Sequence, residues 1–443
     1  MSDIFSKTLR RGLAGVSLLA LAGGAASAEP VVVSLGGFFT QSIAVVDSDE
    51  PAGSNLEDNA LNQNAEIHFK GRSRFDNGME IGFQVQLESE TSDDQIDEHY
   101  VYVKGDWGKV IVGAENGVAH LGEVTGPSFV AGLKSYNNSL TDEVIETAYD
   151  TIFDGDIIED ANMSTKIEHI SGDANKVSYF TPKINGVQLG VSFTPNNENR
   201  KGGESNFGNI ADGQEDIIEY SLSYSDKFDN GSYKIGVTAS QGNNVTDVVV
   251  LAARDQRNLD ADGVALTTGT LVASTIDAVN AGDPESMGFG VIVKYDNWTF
   301  GGNQTTYEDL AAVDAGKYAL SKEIETNYYG LAYRMGRHKF GIGFTDSDET
   351  RYGQAGVEGT YVAAVEEDTT VDPQIDAVAG VAGSEALDAI TNPNVEYKEM
   401  LIGGTTKLAS GVSIGYYYQD TEVTRGSASG DVSLVGVTLA LKF

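Results

Sequence analysis

The chain has 443 residues, no cysteine, and 66 Asp+Glu against 29 Lys+Arg, a formal net charge of −37. The missing cysteine removes disulfides, thiolate metal sites and a cysteine nucleophile, and the acidic excess opposes nucleic-acid binding by phosphate neutralisation. Gly (52) and Tyr (20) are abundant and Pro (8) is scarce, a balance suited to many twisted strands joined by tight turns.

Residues 1–28 read as a secretory signal. Lys7, Arg10 and Arg11 give a basic start, GLAGVSLLALAGGA an apolar stretch, and Ala26-Ser27-Ala28 the small residues before a cleavage point. Cleavage is expected after Ala28, leaving 29–443 as one domain. The apolar stretch falls short of the roughly 20 residues a spanning helix needs. No later segment meets that length either, which leaves a soluble, a surface-attached or a barrel protein. In a barrel, lipid-facing and lumen-facing residues alternate, so the mean hydropathy stays near that of a soluble chain.

The mature chain opens on VVVSLGGFFTQSIAVV, read as the first strand. From Gln63 to Phe75 the alternation is plain: Ala65, Ile67, Phe69 and Gly71 take one face, and Glu66, His68, Lys70, Arg72 and Arg74 the other. Asp76-Asn77-Gly78 is a tight turn, and Met79, Ile81, Phe83, Val85 and Leu87 repeat the apolar face beyond it. Further hairpins are expected about Gly105–Gly108, Asn185-Gly186, 228–231, Asp296-Asn297, Gly336-Arg337 and Ala409-Ser410, with 431–443 as the last strand. The tally is sixteen strands, seven short turns on one side and eight longer loops on the other. This all-β pattern is that of an antiparallel transmembrane barrel; a β-sandwich gives no reason for every second connection to be short.

One connection stands apart. Residues 116–175 carry eleven Asp/Glu against two lysines, Lys134 and Lys166. A loop of that length within a β-protein is usually functional or disordered. Inside it, 141–150 reads as a short helix with Glu143, Glu146 and Asp150 at i, i+3 and i+7. These three, followed by Asp154 and Asp156, are the candidate acids of a pore constriction. The alternative is a solvated external acidic loop. The basic row Lys70, Arg72 and Arg74, with Glu66 and His68, is the candidate pore wall; alternatively it pairs with Glu80 and Glu88 on the neighbouring strand.

Phe443 closes a strand whose alternate residues are Leu441, Leu439, Val437 and Val435. Trp107, Trp298 and Tyr416 sit at short turns, as membrane-interface aromatics do. The terminal strand resembles the segment by which outer-membrane barrels are recognised for assembly.

Three stretches carry a resemblance to the Gram-negative general porins: FKGRSRFDNGMEIGFQVQLE, HYVYVKGDWGKVIVGAENG and NKVSYFTPKINGVQLGVSF. It covers essentially the whole mature chain. The resemblance implies a sixteen-stranded homotrimeric barrel that passes small hydrophilic solutes, with loop three (116–175) folded into the lumen opposite basic wall residues. It also implies outer-membrane lipid, lipopolysaccharide and the barrel-assembly machinery as partners. Enterobacterial relatives have Arg where this chain has Glu66, and Gly-Arg at Gly113-Ala114. Their Pro-Glu-Phe-Gly-Gly loop motif is reduced to an echo, Gly126-Pro127-Ser128-Phe129.

The acidic excess predicts cation preference. No cofactor is expected; acid clusters such as 47–50 and 346–349 are candidates only for adventitious divalent cations such as calcium, since neither matches a calcium loop. Five scattered histidines, and no nucleophile elbow or phosphate loop, give no enzymatic constellation. Two alternatives remain, a substrate-selective porin and a secreted acidic surface or adhesin protein.

Overall fold

The computed structural model describes residues 27–89, 95–134, 140–153, 160–165, 170–197, 213–244, 283–309, 321–351, 358–361, 383–386 and 394–443. Along the first half run β1 (Val32–Ser48), β2 (Asn59–Arg74), β3 (Glu80–Glu88), β4 (Ile96–Gly105), β5 (Gly108–Ala114), β6 (Asn175–Phe180), β7 (Val187–Asn196), β8 (Gln214–Phe228) and β9 (Gly231–Asn244). Then come β10 (Glu285–Tyr295), β11 (Trp298–Glu308), β12 (Ser321–Met335) and β13 (His338–Arg351), a separate hairpin of β14 (Glu358–Tyr361) and β15 (Gly383–Ala386), and β16 (Val395–Ala409), β17 (Val412–Arg425) and β18 (Ala428–Lys442). All but β14 and β15 form one closed barrel of sixteen strands, each antiparallel to its neighbours. β18 meets β1 to close it, with Ile43 opposite Val437.

Local chemistry sets the turns. Asn185 (φ 49°) and Gly186 (φ 88°) supply the two left-handed residues a tight hairpin needs, and Asn77 Oδ1 accepts the Met79 N–H at 3.0 Å. One connection departs from expectation. The segment between β17 and β18 is a two-residue turn at Gly426-Ser427 rather than a loop, because both strands run on past their expected ends.

The two faces of the wall differ as the alternation requires. On β18, Val435, Val437 and Leu439 are 60, 50 and 43% exposed on the outward face, while Leu434, Gly436 and Thr438, which alternate with them, are buried. Aromatic rings gather on the outside at the short-turn end: Trp107 stacks on Tyr179 (6.5 Å), Phe228 on Tyr295 (6.3 Å), Trp298 packs on Tyr333 (4.5 Å) and Phe340 on Tyr416 (6.4 Å). Phe443, 60% exposed, lies at the same end. Amphipathic rings placed there suit a boundary between apolar and aqueous surroundings.

Candidate functional site

Among the described residues, three helices lie between β5 and β6: α1 (Val118–Leu121), α2 (Asp142–Phe153) and α3 (Asp160–Met163). From Gly122 to Gly132 the chain crosses the inward wall at about one strand per residue. The Lys234 ammonium on β9 donates to the Glu123 carbonyl (3.4 Å), and Asn303 Oδ1 on β11 accepts the Gly126 N–H (3.1 Å). On β12, the Tyr328 hydroxyl donates to the Pro127 carbonyl (2.9 Å). Lys339 on β13 donates to Ser128, Thr405 on β16 to Phe129 (2.8 Å), and Thr438 on β18 to Ala131. Gly132 ends the strap against Thr40 on β1. Wall glycines make room for it: a Cβ at Gly290 would overlap the Val124 carbonyl, and one at Gly341 would overlap the Phe129 ring.

Beyond the strap an apolar core forms inside the barrel. Phe129, Leu133, Leu140, Ile145 and Tyr149 pack against Tyr397 and Leu401 of β16, Tyr417 and Val423 of β17, and Val432 and Leu434 of β18. α2 builds this contact from its i, i+3, i+4 face, where Ile145, Ala148 and Tyr149 are buried. The Tyr149 hydroxyl bonds the Thr421 hydroxyl at 2.8 Å, and burial pushes its ionisation well up. An inward face that alternation alone assigns to water is therefore apolar across β16–β18.

Both ends of the segment are tied to one carboxylate. Glu219 on β8, 2% exposed, accepts from Ser171 Oγ (2.8 Å) and Ser192 Oγ (2.6 Å). Ser192 Oγ in turn accepts the Val118 N–H (3.2 Å). Lys176, buried, donates to the carbonyls of Glu115 and Gly172. Burial raises the pKa of Glu115, just past β5.

The candidate acids separate. Glu143 is exposed and lines a cavity of about 660 Å³ shared with Glu50, Glu57 and Asp58 at the long-loop end of β1 and β2. Glu146 and Asp150 are half-buried, and neither is among that cavity's lining residues. Asp154 and Asp156 lie outside the described residues. On β2, Glu66 and His68 bond each other (2.6 Å), and the Phe38 ring packs edge-on to His68. Lys70 and Arg72 are exposed on that same inward face. Arg74 follows the alternative reading: it pairs with Glu80 (2.9 Å), which also takes Lys104 (3.0 Å) and the Tyr102 hydroxyl (2.9 Å). The Glu219 latch was not foreseen; β8 also carries Glu215, Asp216 and Asp226, and nothing in its sequence singles out Glu219.

A closed sixteen-strand barrel with an apolar outer band, an aromatic rim and a strap on its inner wall defines an outer-membrane barrel of the channel-forming type. The model of the Gram-negative porin family matches residues 15–366, and the chain belongs to that family. Among curated relatives, uncharacterized proteins of Rickettsia bellii (strain RML369-C) and Rickettsia typhi (strain ATCC VR-144 / Wilmington) are 27 and 26% identical over 140 residues, 30% of this chain. The matched part spans about a third of each relative, 32 and 31%. Solved structures similar to the chain include the anion-selective porin of Comamonas acidovorans (13% identity, 94% of this chain and 100% of that one, TM-score 0.47). A loop-deleted OmpT of Vibrio cholerae is similar over the same shares of the two chains (12%, TM-score 0.49), and a triple-mutant Rhodopseudomonas blastica porin over 93 and 100% (14%, TM-score 0.45).

Proposed function

We propose that the protein is a general diffusion porin: a water-filled passage for ions and small hydrophilic solutes, narrowed by the 116–175 segment. The observation that carries this is the strap and its apolar core. Their contacts among the described residues fall on β9–β13, β16–β18 and β1, which supports a passage along the β2–β5 side, where Lys70 and Arg72 are exposed. Such a passage selects by size and charge, without a catalytic step. Purified protein in planar bilayers is expected to give stepwise, ohmic-scale conductance at low voltage; a water-soluble product without conductance would instead support the surface-protein alternative.

The four acids around the 660 Å³ cavity, with no Lys or Arg among the described residues of its lining, support a cation preference set at the long-loop mouth. Reversal potentials in a tenfold KCl gradient are expected to favour K⁺. Glu57→Gln, Asp58→Asn and Glu143→Gln together are expected to lower the permeability ratio about twofold.

The mature chain starts after Ala28 in this reading and assembles as a homotrimer. Gln41 faces Gln63 on the outward surface between Phe39, Ile43, Leu61 and Ile67, a polar pair that suits a subunit contact better than lipid. Trimers surviving mild detergent on gels, and lost in Gln41→Arg, are the expected result. Lipopolysaccharide and the barrel-assembly machinery, the latter through β18, complete the proposed partners.

A further inference from the structure

We infer that the passage carries its fixed charge in two axial zones of opposite sign and therefore rectifies ion current. This rests on the porin reading above.

The acid zone is the long-loop mouth, where Glu50, Glu57, Asp58 and Glu143 line the cavity with no basic residue among the described ones. The basic zone is the inward wall on the short-turn side of the strap. Lys70 and Arg72 lie there on β2, Lys109 on β5, Lys234 on β9, Lys294 on β10 and Lys339 on β13. Their facing follows from alternation. Gly236 and Gly290 touch the strap from the inward face, and Lys234 and Lys294 lie two and four residues along the same face toward the turn. Lys234 and Lys339 reach up to the strap's carbonyls, which puts their ammonium groups against its turn-facing side. Lys109 stands 5.0 Å from the centre of the Tyr102 ring. Of the acids on that wall, Glu80 is matched by Arg74 and Lys104, and Glu66, four residues nearer the mouth than Lys70, is bonded to His68.

Distance keeps the zones apart. Asp58 and Lys70 are twelve positions apart on one strand line, about 40 Å along the strand and about 30 Å along the barrel axis at ordinary tilt. The Debye length is about 10 Å at 0.1 M salt and about 3 Å at 1 M. Each zone therefore governs its own stretch at 0.1 M. The mouth cavity, whose volume corresponds to a radius on the order of 5 Å, is narrower than that screening length.

A passage that is cation-selective at one end and anion-selective at the other conducts better in one direction. With the long-loop side positive, cations enter through the acid zone and anions through the basic zone, so both accumulate where the zones meet and conductance rises. With the sign reversed, both are drawn out of the junction and it is depleted.

The test is the current–voltage curve of single channels whose orientation is known. The chain has no cysteine, so an Asn77→Cys variant, biotinylated and bound to streptavidin at the short-turn end, reports which way each channel faces. At 0.1 M KCl and 100 mV, current is expected to be about twofold larger with the long-loop side positive, and the ratio to fall toward unity at 1 M KCl. Lys70→Gln, Arg72→Gln and Lys109→Gln together are expected to abolish most of the ratio while leaving an open channel. Open channels with a linear curve at 0.1 M, a larger current of the opposite sign, or a ratio indifferent to salt overturn the two-zone inference alone. No conductance in any orientation overturns the porin reading beneath it.

Discussion

Tyr149→Ala is expected to unseat α2 from the inner wall, destabilising the folded barrel by about 3–5 kcal/mol, the usual cost of emptying a buried aromatic site. Tyr149 is fully buried against Tyr397, Tyr417 and Val423, so no solvent-side rearrangement can refill the space. Tyr149→Phe separates the ring from the hydroxyl. Thr421 Oγ also donates to the Val432 carbonyl (2.9 Å), so loss of the tyrosine hydroxyl leaves it satisfied, and about 1 kcal/mol is expected. Chemical unfolding in detergent measures both. Single-channel recording adds a second readout: the alanine variant is expected to show larger and noisier conductance, and the phenylalanine variant a near-normal one.

Glu219→Ala is the second large effect. It removes the acceptor of two serine hydroxyls in a buried site, and hydrogen bonds to a charged group contribute roughly 1.5–3 kcal/mol each. A loss of about 3–5 kcal/mol is therefore expected, together with release of both ends of the segment from β8. Because Ser192 also holds the Val118 N–H, limited proteolysis is expected to cut between 116 and 175 in the variant and spare the parent. Glu219→Gln, which keeps one acceptor oxygen, is expected to lie between the two. Equal stability in all three proteins would show that the latch does not hold the segment.

Much of the barrel was legible in the sequence because a period of two is a local signal. Each of the seven short turns expected from the sequence carries Gly, Asn or Asp with φ above zero, and the sixteen-strand count rests on the strands they join. The inner wall was less legible. Val395, Tyr397, Glu399 and Leu401 alternate with Glu396, Lys398, Met400 and Ile402 on β16, and each set mixes charge with apolar bulk. Only packing decides between them: Tyr397 and Leu401 go inward because α2 and Phe129 wait there. Glu396 and Lys398 pair on the outside (3.4 Å), each about half exposed. Likewise Gly126-Pro127-Ser128-Phe129, a faint echo of a family motif, is the middle of the strap. Nothing in those four residues names the strands they rest on, whose docking groups are 177 to 276 positions away. The helix read over 141–150 runs over Asp142–Phe153, but the different settings of Glu143 and Glu146 depend on a cavity assembled from β1, β2 and the first loop.

The strap also constrains the order of assembly. Its seats are drawn from β8 to β18 and from β1; the Thr438 seat for Ala131 is 307 positions away in sequence, and Gly132 rests on the opposite terminal region at Thr40. These seats stand in one row only after the last strand has met the first. A chain emerging from its amino terminus therefore holds residues 122–132 without a resting place until nearly all of it has been delivered. The strap works as a clasp fastened last, and contacts of such long sequence separation are slow to form. A barrel one strand short of closure would lack the seats of Ala131 and Gly132, which makes the final β18–β1 pairing the step that fastens the far end of the strap.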